Sequence, residues 1–190
     1  DLMAIHDIDT MNEISERLHA IDPEVVIYGE GWAAMAPAYP AEEIALKQNT
    51  YMLDKIGAFS DNIRDAVRGP LGCENAGFMD GVAGNKANVE FGIVGGIEHP
   101  QVTVEAWTNN PLQHVSYVSC HDDHCLRDRL EVATKASEKE RLAMVKLAQT
   151  AVYTSQGIPF IFTGEELYRH KQGVKNSYNK PDSINAIDWT

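Results

Sequence analysis

The chain has 190 residues, of which 44% are hydrophobic and 23% are charged, a composition typical of a globular domain with a substantial core. Sixteen Lys and Arg residues against 28 Asp and Glu residues give a net charge of -12, which repels the phosphate backbone of nucleic acid and anionic membrane surfaces. No apolar run approaches the roughly 20 residues that a membrane-spanning helix needs. We therefore expect neither nucleic acid nor a membrane as a partner.

Cysteine usage and the first residues leave the cellular compartment unassigned, either cytoplasmic or secreted. Cys73, Cys120 and Cys125 are an odd and sparse set, unlike the dense, even frameworks of small secreted domains. No signal-like segment precedes Asp1, but a chain that does not start with Met gives no information about targeting.

The first elements form a helix followed by a strand. Thr10 and Glu13 have the spacing of a capping box, and apolar residues recur at helical spacing after them, which predicts a helix over 10–20 that ends before Pro23. After a short turn, the β-branched run Val25–Gly29 predicts a fully buried strand that ends at Glu30.

Later segments continue this alternation. Ser137 and Glu140 form a second capping-box pattern, and Met144, Leu147, Ala148 and Ala151 after them indicate one face of a helix that reaches Thr154. Gly95-Gly96 lacks the spacing of a dinucleotide-binding loop and is interpreted as a turn. Further strands are predicted at 56–60, 115–119 and 158–162, and further helices at 40–47, from Asp61, and at the start of 88–97.

Alternating strands and helices predict an α/β fold with a parallel sheet. The chain has no internal repeat, low-complexity tract or linker-like segment, so we expect residues 1–190 to belong to a single catalytic domain. A complete (β/α)8 TIM barrel takes about 250 residues, whereas only about four strands are recognisable here. The expectation is a partial barrel, from about the end of strand 4 to strand 8, whose partner is the missing N-terminal half.

Three carboxylates, Asp1, Glu30 and Asp122, follow predicted strands. The carboxyl ends of the strands are where α/β barrels place catalytic groups. Retaining cleavage of a glycosidic bond needs a carboxylate nucleophile and a carboxylic acid about 5 to 5.5 Å apart. Burial and like-charge repulsion raise the pKa of one such acid and leave its neighbour ionised, which separates the two roles.

The motifs that contain these carboxylates resemble a known family. Asp1–Asp7, Tyr28–Trp32 and Tyr117–Asp122 are similar, in this order, to three signature regions of the type I pullulanases within the α-amylase family of glycoside hydrolases. The segments 49–51, 59–65, 154–159 and 176–185 also look like pullulanase segments, so the resemblance covers nearly the whole chain. It implies a retaining glycoside hydrolase that cleaves α-1,6-glucosidic links in pullulan, starch or glycogen, with a branched α-glucan as substrate and no cofactor.

Residue by residue, the resemblance implies that Asp1 is the nucleophile and Glu30 the general acid and then base. Asp122 would hold the hydroxyls of the distorted sugar and stabilise the oxocarbenium-like transition state, with His121 donating a hydrogen bond to the same ring. Trp32 and Tyr178 would offer aromatic faces to sugar rings.

The chain also departs from the family pattern. The family has an Arg two residues before the nucleophile, and an earlier region with its own Asp and His, and this chain starts after both. Where the family usually has Asn after the His-Asp pair, this chain has Asp123. The second departure leaves the identity of the neighbouring sugar subsite unassigned. It does not affect the catalytic role implied for Asp122.

Alternative functions remain open at this point. An isoamylase-like or α-1,4-cleaving relative would use the same chemistry, and a non-catalytic barrel fragment would use none. A metal-dependent hydrolase built on 121–125 is disfavoured, because five consecutive residues cannot all converge on one ion. We expect no metal site. Glu165-Glu166 is either a pair of substrate-side acids or a solvated loop pair, and the solvated pair is favoured. His19, His99, His114 and His170 show no partner pattern.

Overall fold

The computed structural model describes residues 2–72 and 76–189, and these residues form two compact units. The first unit comprises Asp1–Ser60, Phe91–Ser116 and Ser155–Ile158. The second comprises Asp61–Glu90, Tyr117–Thr154 and Pro159–Thr190. Asp1 lies outside the described residues.

The helices are α1 (Ile8–Ile21), α2 (Asp61–Arg68), α3 (Lys86–Ile93), α4 (Leu126–Ala133), α5 (Glu138–Tyr153) and α6 (Asp182–Asn185). The strands are β1 (Ile27–Gly29), β2 (Ile56–Phe59), β3 (His114–Ser116) and β4 (Ile158–Pro159).

A parallel sheet organises the first unit and confirms the predicted α/β class. The strand order is β1-β2-β3-β4, and β4 begins within this unit at Ile158. The parallel pairs join Ile27 to Ile56 and Ala58 to His114. Because β1 and β2 are parallel, the residues that follow these two strands lie at the same edge of the sheet.

Strand β1 is shorter and more exposed than predicted. Val25 and Val26 lie outside it, and Val26 and Tyr28 are 60% and 46% exposed. Among the described strands β1 pairs only with β2 and lies at the end of the sheet order, so the prediction of a fully buried strand was wrong. The apolar run gave the position of the strand correctly but not its surroundings.

Helix α1 begins earlier than the predicted capping box. Asp7 is the N-cap, and its carboxylate accepts hydrogen bonds from the backbone N–H of Thr10 at 2.8 Å and from the Thr10 hydroxyl at 2.7 Å. A carboxylate at the positive end of a helix is favoured over a hydroxyl three residues further on. The cap at Thr10 was therefore wrong, whereas the helix itself was correctly predicted.

The predicted helix at 40–47 is also absent, within a part of the chain that the structure describes fully. Residues 41–43 form a turn, Ile44 makes an antiparallel bridge with Asp7, and a 3-10 helix follows at Lys47–Met52. The Ile44 bridge takes up backbone groups that a helix would have used internally. Helix α4, by contrast, was not predicted.

The capping box of α5 is confirmed. The Glu140 carboxylate accepts the Ser137 N–H at 2.7 Å, and the Ser137 hydroxyl accepts the Glu140 N–H at 3.4 Å. The buried face differs from the predicted one, because Val145, Ala148 and Val152 are buried while Leu147 is 45% exposed.

Each unit has its own hydrophobic core. The buried residues of the first core come from β2, α1 and α3 among others: Met3, Ile8, Met11, Ala45, Leu53, Ile56, Ala58, Phe91 and Trp107. Those of the second come mainly from α2, α4 and α5: Ile63, Ala66, Val67, Met79, Val89, Val118, Leu126, Leu130, Val145, Ala148 and Val152. Among the described residues, no helix is both long and apolar enough to cross a lipid bilayer.

Candidate active site

Glu30 is the first residue after β1 and is half-buried. One carboxylate oxygen, Oε2, accepts a hydrogen bond from the backbone N–H of Leu2 at 3.0 Å. The Glu30 backbone carbonyl accepts the N–H of Ala4 at 3.3 Å. The carboxylate is therefore held beside Leu2, the first described residue of the chain.

The glycines on both sides of Glu30 are required by close packing. A Cβ on Gly29 would lie 2.8 Å from the Cβ of Met3. A Cβ on Gly31 would lie 2.6 Å from the backbone nitrogen of Lys47, which donates a hydrogen bond to the Gly31 carbonyl at 2.6 Å. Gly31 thus allows two backbone segments to approach, and this contact fixes the chain directly after the carboxylate.

His121 and Asp122 lie in the second unit and are adjacent and solvent-accessible. Their side chains are 56% and 54% exposed, and His121 Nε2 lies 3.4 Å from Asp122 Oδ1. An exposed carboxylate next to an imidazole is free to exchange water for the hydroxyls of a ligand.

Asp123 is buried directly beside this exposed pair. Its Oδ2 accepts hydrogen bonds from Arg68 at 3.3 Å and from the Gly72 N–H at 3.1 Å, while Lys175 Nζ lies 3.7 Å from its Oδ1. Its backbone has a φ of 63°, in the left-handed region, and its N–H donates to Asn176 Oδ1 at 3.2 Å.

The ionised form of Asp123 is favoured despite its burial. Burial opposes ionisation of the carboxyl, but hydrogen bonds from the backbone N–H groups of Gly72 and His124 and the charge of Arg68 outweigh it, so the pKa of Asp123 is lowered. The residue after the proposed catalytic Asp122 is therefore an anchored anion that fixes the turn.

The side chains of 121–125 diverge rather than surround an ion. Asp123 bonds to Arg68, whereas the Cys125 thiol lies 3.0 Å from Asp128 Oδ2 and 3.3 Å from the Arg169 carbonyl. Among the described residues, a group of three potential metal ligands occurs elsewhere in this unit, at Asp128, Glu131 and His170. The partners of His170 were not recognisable in the sequence, because they lie far away along the chain.

Glu165 is buried rather than solvated, which corrects the interpretation of the 165–166 pair. It is 5% exposed and accepts a hydrogen bond from the Ser119 hydroxyl. Burial raises the pKa of Glu165 to about 7, against the opposing effect of that hydrogen bond. The sequence pattern identified Glu165 as an acid that follows a predicted strand, but it did not predict the burial of this residue.

Two buried arginines on α2 were also missed. Arg64 donates a hydrogen bond to the Tyr117 hydroxyl at 2.6 Å and pairs with Asp65 at 2.6 Å, while Arg68 is fully buried against Asp123. Their spacing of four residues places both on one face of the helix, and that face is otherwise apolar.

The remaining candidates differ in exposure. Trp32 is half-buried and follows Glu30 in the first unit, whereas Tyr178 is 80% exposed in the second. Asp1 lies outside the described residues, so its side chain has no structural description here. His114 is fully buried, with its ring stacked on Trp107 at a centroid distance of 5.3 Å, and is a core residue.

Comparison with known proteins identifies the family. No protein-family model matches the chain. Pullulanase from Bacillus subtilis strain 168 is 35% identical over 191 residues, covering all of this chain and 26% of that protein. The crystal structure of Paenibacillus barengoltzii pullulanase in complex with maltohexaose and α-cyclodextrin matches with a TM-score of 0.93 and 45% identity, covering all of this chain and 29% of that one. The chain belongs to the pullulanase family.

The chain spans about a quarter of the length of the curated pullulanases that it matches, for example 26% of the Bacillus subtilis protein and 22% of chloroplastic pullulanase 1 of Arabidopsis thaliana. It corresponds to part of the pullulanase catalytic region. The parallel sheet together with the pullulanase structures confirms the expected α/β fold of a partial barrel.

Proposed function

We propose that the chain contributes catalytic groups to a retaining glycoside hydrolase that cleaves α-1,6-glucosidic links in pullulan, starch or glycogen. The observation that carries the proposal is the similarity to pullulanases over the whole chain, at 45% identity in the Paenibacillus barengoltzii structure. That protein was crystallised with maltohexaose and α-cyclodextrin, and Anoxybacillus pullulanase with maltotriose. A branched α-glucan is accordingly the proposed substrate.

In the proposed mechanism, Asp1 attacks the anomeric carbon while Glu30 protonates the glycosidic oxygen of the leaving group. The resulting glycosyl-enzyme is hydrolysed by water, from which Glu30 removes a proton. Asp122 binds sugar hydroxyls more strongly in the distorted transition state than in the ground state, and His121 donates a hydrogen bond to the same ring.

Features of both units support these roles. The Leu2 N–H bond to Glu30 Oε2 orients the carboxylate, as proton transfer to a defined oxygen requires. Asp122 and His121 are exposed side chains on a turn whose next residue, Asp123, is buried and charge-paired. This arrangement combines an accessible ligand pair with a fixed backbone.

Aromatic stacking would complete the binding of sugar. The 80% exposed ring of Tyr178 presents a broad apolar face, and Trp32 lies two residues after the proposed acid. The proposal includes the expectation that residues 1–190 belong to one catalytic domain, and that the first half of the barrel completes it.

Product analysis on two substrates tests the proposed specificity. Full-length protein carrying this chain is incubated with pullulan and with amylose. Release of maltotriose from pullulan, with amylose left intact, is the expected result, because maltotriose units are joined by α-1,6 links in pullulan. Cleavage of amylose alone would instead favour the α-1,4-cleaving alternative.

The role of Asp122 is tested by Asp122→Asn, which removes the charge but keeps the shape. We expect pullulan hydrolysis to fall by about 10²-fold or more, because transition-state stabilisation is lost. Asp22→Asn, in an exposed position after α1, is the matched control and should leave activity unchanged. Equal activities of the two variants would contradict the role of Asp122.

Chelation addresses the metal-dependent alternative. Activity that persists after treatment with excess EDTA is the expected outcome, since no step of the proposed mechanism uses a metal ion. Loss of activity that Zn²⁺ restores would favour a metal-dependent hydrolase instead.

A further inference from the structure

We propose that Asp128, Glu131 and His170 form a binding site for a divalent transition-metal ion, with Zn²⁺ as the preferred ion. The site lies within the second unit. The three residues each offer a ligand atom, and these atoms lie within 4.8 Å of one another. The inference does not rest on the proposed activity, because metal binding is measured without substrate.

The two distances from His170 to the carboxylates are close to those of a tetrahedral zinc site. His170 Nε2 lies 3.1 Å from Asp128 Oδ1 and 3.4 Å from Glu131 Oε2. Zinc binds nitrogen and oxygen ligands at about 2.0 to 2.2 Å, so tetrahedral geometry places neighbouring ligand atoms about 3.3 to 3.5 Å apart. The two measured separations thus accommodate an ion with only small side-chain movements.

The state of the Asp128 carboxylate is a second, independent observation. Asp128 is fully buried, and its Oδ1 has no hydrogen-bond partner among the described residues, although His170 Nε2 is near. Its Oδ2 accepts the Lys171 N–H at 2.8 Å and the Cys125 thiol at 3.0 Å. These bonds fix the carboxylate with the unsatisfied oxygen facing His170, as outer hydrogen bonds do for metal ligands.

The local fold supplies the other two ligands. Asp128 and Glu131 are three residues apart on α4, which places them on the same face of the helix. Glu131 Oε1 pairs with Arg127 at 3.3 Å, and its Oε2 is the atom near His170. The two carboxylates together balance the charge of a divalent ion.

The donor set selects among ions. Ca²⁺ takes six to eight oxygen ligands and Mg²⁺ prefers six, whereas imidazole combined with carboxylates suits Zn²⁺ and related ions. The side chains of His170 and Glu131 are 36% and 32% exposed, so an ion can enter from solvent and water can occupy a fourth position. A bound ion would connect α4 with the segment around residue 170.

Direct binding measurements test the proposal. The full-length protein is stripped with EDTA, dialysed, and titrated with Zn²⁺ by isothermal titration calorimetry, alongside His170→Gln and Glu131→Gln. Asp128 is left unchanged, because its buried carboxylate also bonds to the backbone. His99→Gln is the matched control for His170→Gln. Glu138→Gln is the matched control for Glu131→Gln, because Glu138, like Glu131, pairs with Arg127.

We expect Zn²⁺ binding by wild type and by both controls, and affinity at least tenfold weaker in His170→Gln and in Glu131→Gln. Zn²⁺ should also raise the melting temperature of wild type and not that of the two ligand variants. Wild-type affinity in both ligand variants, or no Zn²⁺ binding by the wild type, would overturn the proposal. Preference for Ca²⁺ over Zn²⁺ would likewise contradict it.

Discussion

The buried ion pair between Arg68 and Asp123 makes a sharp prediction about stability. The two side chains are 0% and 4% exposed, with Arg68 NH2 at 3.3 Å from Asp123 Oδ2. Asp123→Asn removes the negative charge while keeping the shape and an oxygen that still accepts the Gly72 N–H. Asn also tolerates the left-handed backbone of this position, where φ is 63°. The substitution therefore isolates the effect of charge.

The expected cost follows from the burial of Arg68. Removing one partner of a buried ion pair costs about 3 to 5 kcal/mol, because the other charge stays desolvated and uncompensated. Arg68 retains hydrogen bonds to the carbonyls of Val118 at 3.3 Å and His124 at 3.2 Å, which favours the lower end of that range. We expect Asp123→Asn to lower the free energy of unfolding by about 3 kcal/mol.

Urea unfolding followed by circular dichroism measures this effect. Asp122→Asn is the matched control, because it makes the same change at the neighbouring, 54% exposed residue and should shift stability by less than about 0.5 kcal/mol. Because the pKa of Asp123 is lowered, its stabilisation is present above the ordinary pKa of 3.8 and is lost as the pH falls below it. The stability difference between wild type and Asp123→Asn should thus shrink below that pH. Equal stability of Asp123→Asn and Asp122→Asn at neutral pH would refute the reasoning.

Two further predictions concern Glu165 and Gly157. Burial raises the pKa of Glu165 from 4.5 to about 7. Between these pH values the folded state keeps a proton that the unfolded state has lost. The free energy of unfolding should therefore fall by about 3 kcal/mol as the pH rises through this range. Glu165→Gln should abolish that part of the pH dependence of the urea midpoint, and an unchanged profile would contradict the assignment. A Cβ on Gly157 would lie 2.4 Å from the His114 carbonyl oxygen, against 3.3 Å to the nearest atom for Gly57. Gly157→Ala should accordingly lower the thermal midpoint well below that of Gly57→Ala, at a cost of about 1 to 3 kcal/mol, and equal midpoints would argue against the close approach.

Local patterns predicted the elements, and tertiary contacts decided their limits. The spacing of Ser137 and Glu140 identified the start of α5 correctly, since both halves of that capping box lie within three residues. The same pattern at Thr10 was wrong, because Asp7 offered a stronger cap just before it. The periodicity gave the presence of each helix and not the residue that starts it.

The candidate site was predicted in part for a related reason. Glu30 and Asp122 were recognisable because each belongs to a short motif that follows an apolar run. Asp123 and His170 gain their significance from Arg68 and Asp128, which lie more than 40 positions away, and no local pattern encodes such pairs. The burial of Glu165 against Ser119 is likewise a property of the folded chain.

The central claim is that Glu30 transfers the proton in glycosidic cleavage, and Glu30→Gln tests it most directly. Gln has the same shape as Glu, with an amide in place of the carboxyl group, but it has no proton to transfer to the glycosidic oxygen. Pullulan hydrolysis by the full-length protein should therefore fall by about 10²-fold or more. Glu24→Gln, an exposed position ahead of β1, serves as the control and should retain full activity. Activity of Glu30→Gln within a few-fold of wild type would contradict the account.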